Sequence, residues 1–352
     1  MDVWNQLAIY ESRDSITRHY EKRHSKSLKS AKAEEIISQL AQGREFFRSA
    51  KDASYLVKPL LLYYGVISLS RGLILFLNHE LRENSLKPSH GLMENDWRQI
   101  LHSGNSRLGD ITAEVTQGTF SELARVTHNI ERVLLPNSNE QRQWSRLGTK
   151  EYPHKTKFNL KEILKRSPEI REIFEKTFHE RTFCYGLSIK AHGSIGTVMD
   201  IYCDKDSLNA SNIKEKFRVP IKATENFEEG HFYLSCIVSH FSEDELSSNL
   251  PPIFEGHLGY VTLPFDDGIK LSTLSRLYLL SYFLGILVRY YPTNWTQLVT
   301  RQKGDLIYPV LNAVVELVEN KFPIKILEEI GGLDSEYPRK YAYIPSDFPL
   351  PY

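Results

Sequence analysis

A chain of 352 residues, with 44 Lys and Arg against 44 Asp and Glu and 41% hydrophobic residues, has the composition of an ordinary folded protein with ample core. Zero formal net charge excludes bulk attraction to nucleic acid and leaves that role only to a local basic segment. Three cysteines, Cys184, Cys203 and Cys236, exclude a disulfide framework and form no Cys-x-x-Cys pair.

Residues Met1 to Gln6 lack the basic-then-apolar profile of a signal peptide, so a cytoplasmic location is expected. The sequons at Asn209 and Asn294 are then chance matches. Residues 1–29 read as a basic N-terminal arm. Arg18, Lys22, Arg23, Lys26, Lys29 and Lys32 face only Glu21, the pattern of a solvated helix face or mobile arm. The alternative is a patch for nucleic acid or an acidic partner, confined to Arg18–Lys32.

Residues 30–182 are expected to form an N-terminal helical part. Ile36, Leu40, Phe47 and Ala50 recur at helical spacing, which predicts an amphipathic helix from Ser30 to about Ser54. Pro59 then opens a helix that is apolar on nearly every side as far as Asn78. Lys58 and Arg71 cut that run into pieces shorter than the ~20 apolar residues of a membrane span, so a central core helix is expected and no membrane association. Leu86–Met93 reads as a loop. Trp97–Leu101 reads as a short helix and Asp110–Val115 as a short strand. Gly118 reads as a turn into a helix capped by Thr119 or Ser121. Leu160–Lys165 and Pro168–Phe178 are two further short helices.

The pattern changes near Phe183. Residues 183–268 are expected as a β-rich insertion with a hairpin around Gly193–Gly196, a helix from Asn209 to Phe217, and strands at His231–Val238 and Leu258–Leu263. Residues 269–332 return to helix. Thr273–Tyr291 is strongly apolar and stopped by Pro292. Asp305–Lys321 is amphipathic, and Phe322–Ile330 follows it to Gly331-Gly332. This part is expected to pack on the N-terminal one, with 333–352 as an extended tail. The fold class is α+β, mainly helical: a core built from both ends of the chain around a small β-sheet-containing insertion.

Phosphate loops and a Gly-x-Ser-x-Gly elbow are absent. Cys236-x3-His240 has metal-like spacing, but strand alternation puts Cys203 and Cys236 on apolar faces as core thiols, so no metal or other cofactor is expected. Leu61-Leu62-x-Tyr64-x6-Arg71 reappears as Leu279-Leu280-x-Tyr282-x6-Arg289. Residues seven apart on a helix lie about 20° from one face, so each Tyr shares a stripe with its Arg. One reading is an arginine that snorkels or is paired in the core; the other is a polar cleft where Tyr64, Arg71, Tyr282 and Arg289 hold a small anion or nucleotide.

Arg18-His-Tyr-Glu-Lys-Arg-His24 resembles the Arg-x4–6-His pattern of the HEPN superfamily, many of whose members cut RNA. The resemblance implies a ribonuclease in which Arg18 holds phosphate and His24 moves a proton. A second resemblance covers roughly residues 30–330. Gly43-Arg-Glu-Phe-Phe47, Lys58-Pro-Leu-Leu-Leu-Tyr-Tyr64, His90-Gly-Leu92, Gly118-Thr-Phe120, Tyr278–Tyr282 and Arg289-Tyr-Tyr291 follow one another as in the YaaC-like family of bacterial proteins. That resemblance implies membership and carries over no catalytic residues.

The first functional expectation is a non-enzymatic cytoplasmic protein-interaction or regulatory component of a bacterial multi-protein system, such as phage defence, with a protein partner or a second copy. The alternatives are the ribonuclease using Arg18 and His24 and the small-anion or nucleotide binder.

Overall fold

The computed structural model describes residues 2–331 except 103, 137–141, 149–150, 193–195, 204–223, 229–230, 238–251, 256–257 and 303–304. The expected helix at Asn209–Phe217, His240 and the 333–352 tail lie outside the described residues.

The expected basic arm is folded. Helix α1 (Val3–Leu7), a 3-10 turn and α2 (Arg13–His24) pack against the helices that follow. Leu7, Tyr10, Ile16 and Tyr20 are buried, and this sparse apolar stripe was hidden by the surrounding charge. Helix α3 (Ser30–Lys51) buries Ile36, Leu40, Phe47 and Ala50, as its spacing requires, and lies along α4 (Lys58–Leu77). The two approach closely at Gly65, where an added Cβ would meet the Phe47 ring at 2.6 Å. By length and composition α4 could cross a membrane after all, with a mean hydropathy of 1.8; its two cations do not shorten it enough. Within this fold 67% of that stretch is buried, as befits a core helix.

The C-terminal end of α4 is closed by side chains from the N-terminal segment. His24 Nε2 lies 2.8 Å from the Phe76 carbonyl, and Lys32 Nζ donates to the Asn78 carbonyl at 2.7 Å. Donors there satisfy orphan carbonyls, and the Lys32 charge complements the helix dipole.

The stretch expected as a loop holds strand β1 (His90–Asn95). It pairs with β2 (Thr112–Gly118), and β2 pairs in turn with the short β5 (Lys157–Asn159), all antiparallel. Helix α5 (Trp97–His102) fills the β1–β2 connection, and α6 (Thr119–Thr127) leaves β2 through Gly118. A ribbon of β3 (Ile130–Pro136) and β4 (Arg142–Gly148) went unread in the sequence. Short helices α7 (Leu160–Leu164) and α8 (Arg171–Phe178) fall where expected.

The middle of the chain forms a six-stranded antiparallel sheet in the order β10-β11-β6-β7-β9-β8. The hairpin of β6 (Cys184–His192) and β7 (Gly196–Cys203) and strands β9 (His231–Ile237) and β11 (Leu258–Thr262) match expectation. The edge strands β8 (Thr224–Glu228) and β10 (Pro252–Glu255) were not anticipated, because one is polar and the other opens on a proline, features tolerated at an edge.

Helix α9 (Thr273–Tyr290) is buried from Thr273 through Val288. Its start is fixed by Ser272, whose Oγ accepts from the Ser275 N–H. Asn129 Oδ1 accepts from the hydroxyls of both serines, at 2.6 and 2.7 Å. Pro292 ends α9 and opens α10 (Pro292–Val299). The two segments expected after it are one helix, α11 (Tyr308–Gly331), which continues through Pro323. The backbone bond lost there is offset by burial of Phe322, Pro323 and Ile326. Helices α3, α4, α9 and α11 pack together, so both ends of the chain build the core. Arg276 and Glu169 add a bidentate ion pair inside it, with both bonds at 2.6 Å.

Candidate functional site

The site begins with the contact between α4 and α9. Gly285 faces Tyr63, and an added Cβ would stand 2.5–2.6 Å from Tyr63 Cδ1, Cβ and Cγ. Only glycine allows the helices to meet there. The Tyr63 ring meets Tyr282 edge-on at 5.9 Å, while Arg71, further along α4, acts electrostatically on Tyr278, further back on α9. The two helices therefore run antiparallel.

Strand β1 brings the second part. Its register with β2 slips between His90 and Leu92. Gly91 has φ +80°, and a Cβ on it would lie 2.6 Å from the Phe120 nitrogen. Such a bulge bends the strand and redirects a side chain. The neighbouring backbone is pinned, because Tyr278 donates its hydroxyl to the His90 carbonyl at 2.9 Å and the Thr119 hydroxyl donates to the Ser89 carbonyl at 3.1 Å. The His90 ring lies 5.4 Å from the Tyr63 ring and 6.4 Å from that of Tyr282.

Three polar groups belong to this corner: the Tyr63 hydroxyl, the His90 ring packed beside it, and Arg289, whose charge acts on both. The Tyr63 hydroxyl is fully buried and has no hydrogen-bond partner. The ring nitrogens of half-buried His90 bond to nothing among the described residues. Arg289, exposed at the end of α9, has no carboxylate partner among them and lies over the Tyr290 ring at 4.9 Å. Neighbouring polar handles are paired: Trp97 Nε1 donates to the Thr112 carbonyl, Trp295 Nε1 to that of Tyr55, and the Tyr291 hydroxyl to Glu94.

The electrostatics follow the burial. Desolvation, and then neighbouring tyrosines, push the Tyr63 hydroxyl well above its ordinary pKa, opposed by Arg289. Burial and then Arg289 lower the pKa of His90, so its imidazole is neutral at pH 7. Tyr291 is pushed up to about 12 by burial and then Glu94. Tyr63, Arg289 and the single N–H of a neutral His90 all offer donors, and such a set complements an acceptor-rich anion.

Of the residues expected from the sequence, Tyr282 and Arg289 belong to this corner. Tyr64 does not; it is half-buried toward α3, 5.6 Å from Phe46. Its neighbour Tyr63 is the one that faces α9. Arg71 is half-buried beside Tyr278 and also lacks a carboxylate partner among the described residues. In the antiparallel pair Arg71 lies eight residues beyond Tyr63 and Arg289 four beyond Gly285, in opposite directions. At 1.5 Å per residue their backbones are about 18 Å apart. The two Tyr-Arg stripes therefore do not form one cleft around a common anion.

Arg18 and His24 are not brought together either. Arg18 is exposed and reaches back to the Asp14 carbonyl, whereas His24 packs on Tyr20 and closes α4. Six residues of helix set them about 120° apart. Among the described residues no three His, Cys, Asp or Glu side chains gather as metal ligands. Cys184 is a core thiol pushed up to about 12 by burial, in keeping with an unreactive role.

Sequence reasoning missed Tyr63 and His90. Two signals pointed to them: a lone glycine in the middle of the apolar helix that became α9, and a His-Gly pair that reads as a loop. Every block of the YaaC-like resemblance between Lys58 and Arg289 has a residue at this corner or pinning it. No curated protein and no solved structure matches the chain. The family model of the YaaC-like proteins matches residues 8–330, nearly the whole chain. The chain belongs to the YaaC-like protein family.

Proposed function

We propose that this protein binds a small anion at the meeting of α4, β1 and α9, between Tyr63, His90 and Arg289. The observation that carries the reading is the Tyr63 hydroxyl. A buried hydroxyl without a partner costs about 1–3 kcal/mol, and a ligand atom that accepts its proton removes that cost. The His90 ring turns aside to admit the anion, since no hydrogen bond within the described residues holds it.

Titration with inorganic phosphate and with sulfate, in a chloride buffer, tests this. A ligand at a hundred times its Kd stabilises the folded state by about 2.7 kcal/mol. A rise in Tm that disappears in Arg289→Ala and persists in Arg71→Ala is expected. No stabilisation by either anion, or an equal response in Arg289→Ala, would overturn the reading.

A second observation favours the interaction component expected from the sequence. Leu56, Val57 and Tyr290 are exposed at the end of α4 and α9 where this corner lies, an apolar rim of the kind that marks contact surfaces. A partner that docks over the rim would sense whether the anion is present. Co-purification that changes with phosphate concentration supports this arm, and its absence counts against it.

A further inference from the structure

We infer that the anion is carried on a flat, apolar-faced body, the chemistry of a nucleoside monophosphate. The inference rests on the anion site proposed above and extends it outward.

An inorganic anion would use Arg289, His90 and Tyr63 and leave the rim idle. Yet Tyr290, adjacent to Arg289 in the chain, is 54% exposed despite being a large aromatic ring. Val57, immediately before α4, is 47% exposed. The antiparallel pairing of Tyr63 with Gly285 places Val57 and Tyr290 at the same end of the two helices. The Tyr291–Glu94 bond, 3.2 Å, ties β1 to that end.

A ring stacked on Tyr290 gains contact without demanding particular hydrogen bonds, because every base has a π-face. Its phosphate then reaches Arg289, which already lies against the same tyrosine. Glu94 sets the limit on charge. An exposed carboxylate at the rim can accept from the hydroxyls of a sugar but repels further phosphates. A monophosphate fits this arrangement better than a triphosphate.

Calorimetric titration of the full chain with inorganic phosphate, adenosine monophosphate and hexyl phosphate separates the cases. Adenosine monophosphate should bind at least tenfold more tightly than phosphate, equivalent to about 1.4 kcal/mol. Tyr290→Ala should abolish the nucleotide's advantage, so that the ratio of its affinity to that of phosphate in the same variant falls from at least ten to about one, and Tyr290→Phe should keep that ratio. If the nucleotide binds no more tightly than phosphate, or hexyl phosphate matches it, the flat-body inference is overturned while the anion site stands. If phosphate itself does not bind, the anion site falls, and this inference with it.

Discussion

Replacing Tyr63 by Phe removes one oxygen from a side chain that is fully buried and touches Gly285, His90 and Tyr282. In most proteins that change breaks a hydrogen bond and destabilises. Here the hydroxyl has no partner to lose. Its desolvation costs about 1–3 kcal/mol, and the void left by one oxygen returns part of that. Without ligand, Tyr63→Phe should therefore be more stable than the wild type by about 1–2 kcal/mol. The assay is urea unfolding in chloride buffer, comparing midpoints at equal m-values so that the difference reports stability. Adding phosphate should reverse the order, since the wild type gains a hydrogen bond to the anion that the variant cannot make. A variant less stable than the wild type without ligand would refute the reasoning, because it would show the hydroxyl already paired.

Two further predictions concern the frame around the site. Gly285→Ala gains helix propensity of about 1 kcal/mol but forces a Cβ to within 2.6 Å of atoms near the Tyr63 backbone, where the ring cannot simply swing away. A net loss of about 1–2 kcal/mol in urea unfolding and at least tenfold weaker phosphate binding are expected; wild-type behaviour would contradict the close contact. Lys32 has its pKa lowered to about 8 from 10.5, chiefly by burial. Its charge is thus less welcome in the folded state than in the unfolded one. The penalty is complete below pH 8 and is relieved as pH rises from about 8 to 10.5, where the unfolded state binds more protons. Lys32→Met should flatten that rise in a stability–pH profile, and an unchanged slope would count against it.

What was legible in the sequence was set by how local each signal is. The apolar runs of α4 and α9 and the β6–β7 hairpin carry their patterns within a few turns or residues. Docking of the N-terminal segment depends on a few apolar residues, Trp4, Leu7, Tyr10, Ile16 and Tyr20 among them, scattered among charges, and β1 was lost because its bulge breaks alternation at Gly91. Pro323 reads as a break, yet burial on both sides of it carries α11 onward. At the candidate site, spacing along one helix identified Tyr282 and Arg289. It named Tyr64 instead of Tyr63, because which tyrosine faces α9 depends on the register with Gly285, more than two hundred residues away. His90 required a third segment and had no periodic signal at all.

The central claim is an anion between Tyr63, His90 and Arg289, and the His90 imidazole reports on it from inside. Following its proton resonances against pH, with and without phosphate, is the most direct measurement, with His90→Gln identifying the signal. Burial and Arg289 predict a pKa below the ordinary value of 6.5 in the free protein. A bound anion favours the imidazolium and offsets Arg289, so phosphate should move that pKa upward. A His90 pKa that is the same with and without phosphate would contradict the account.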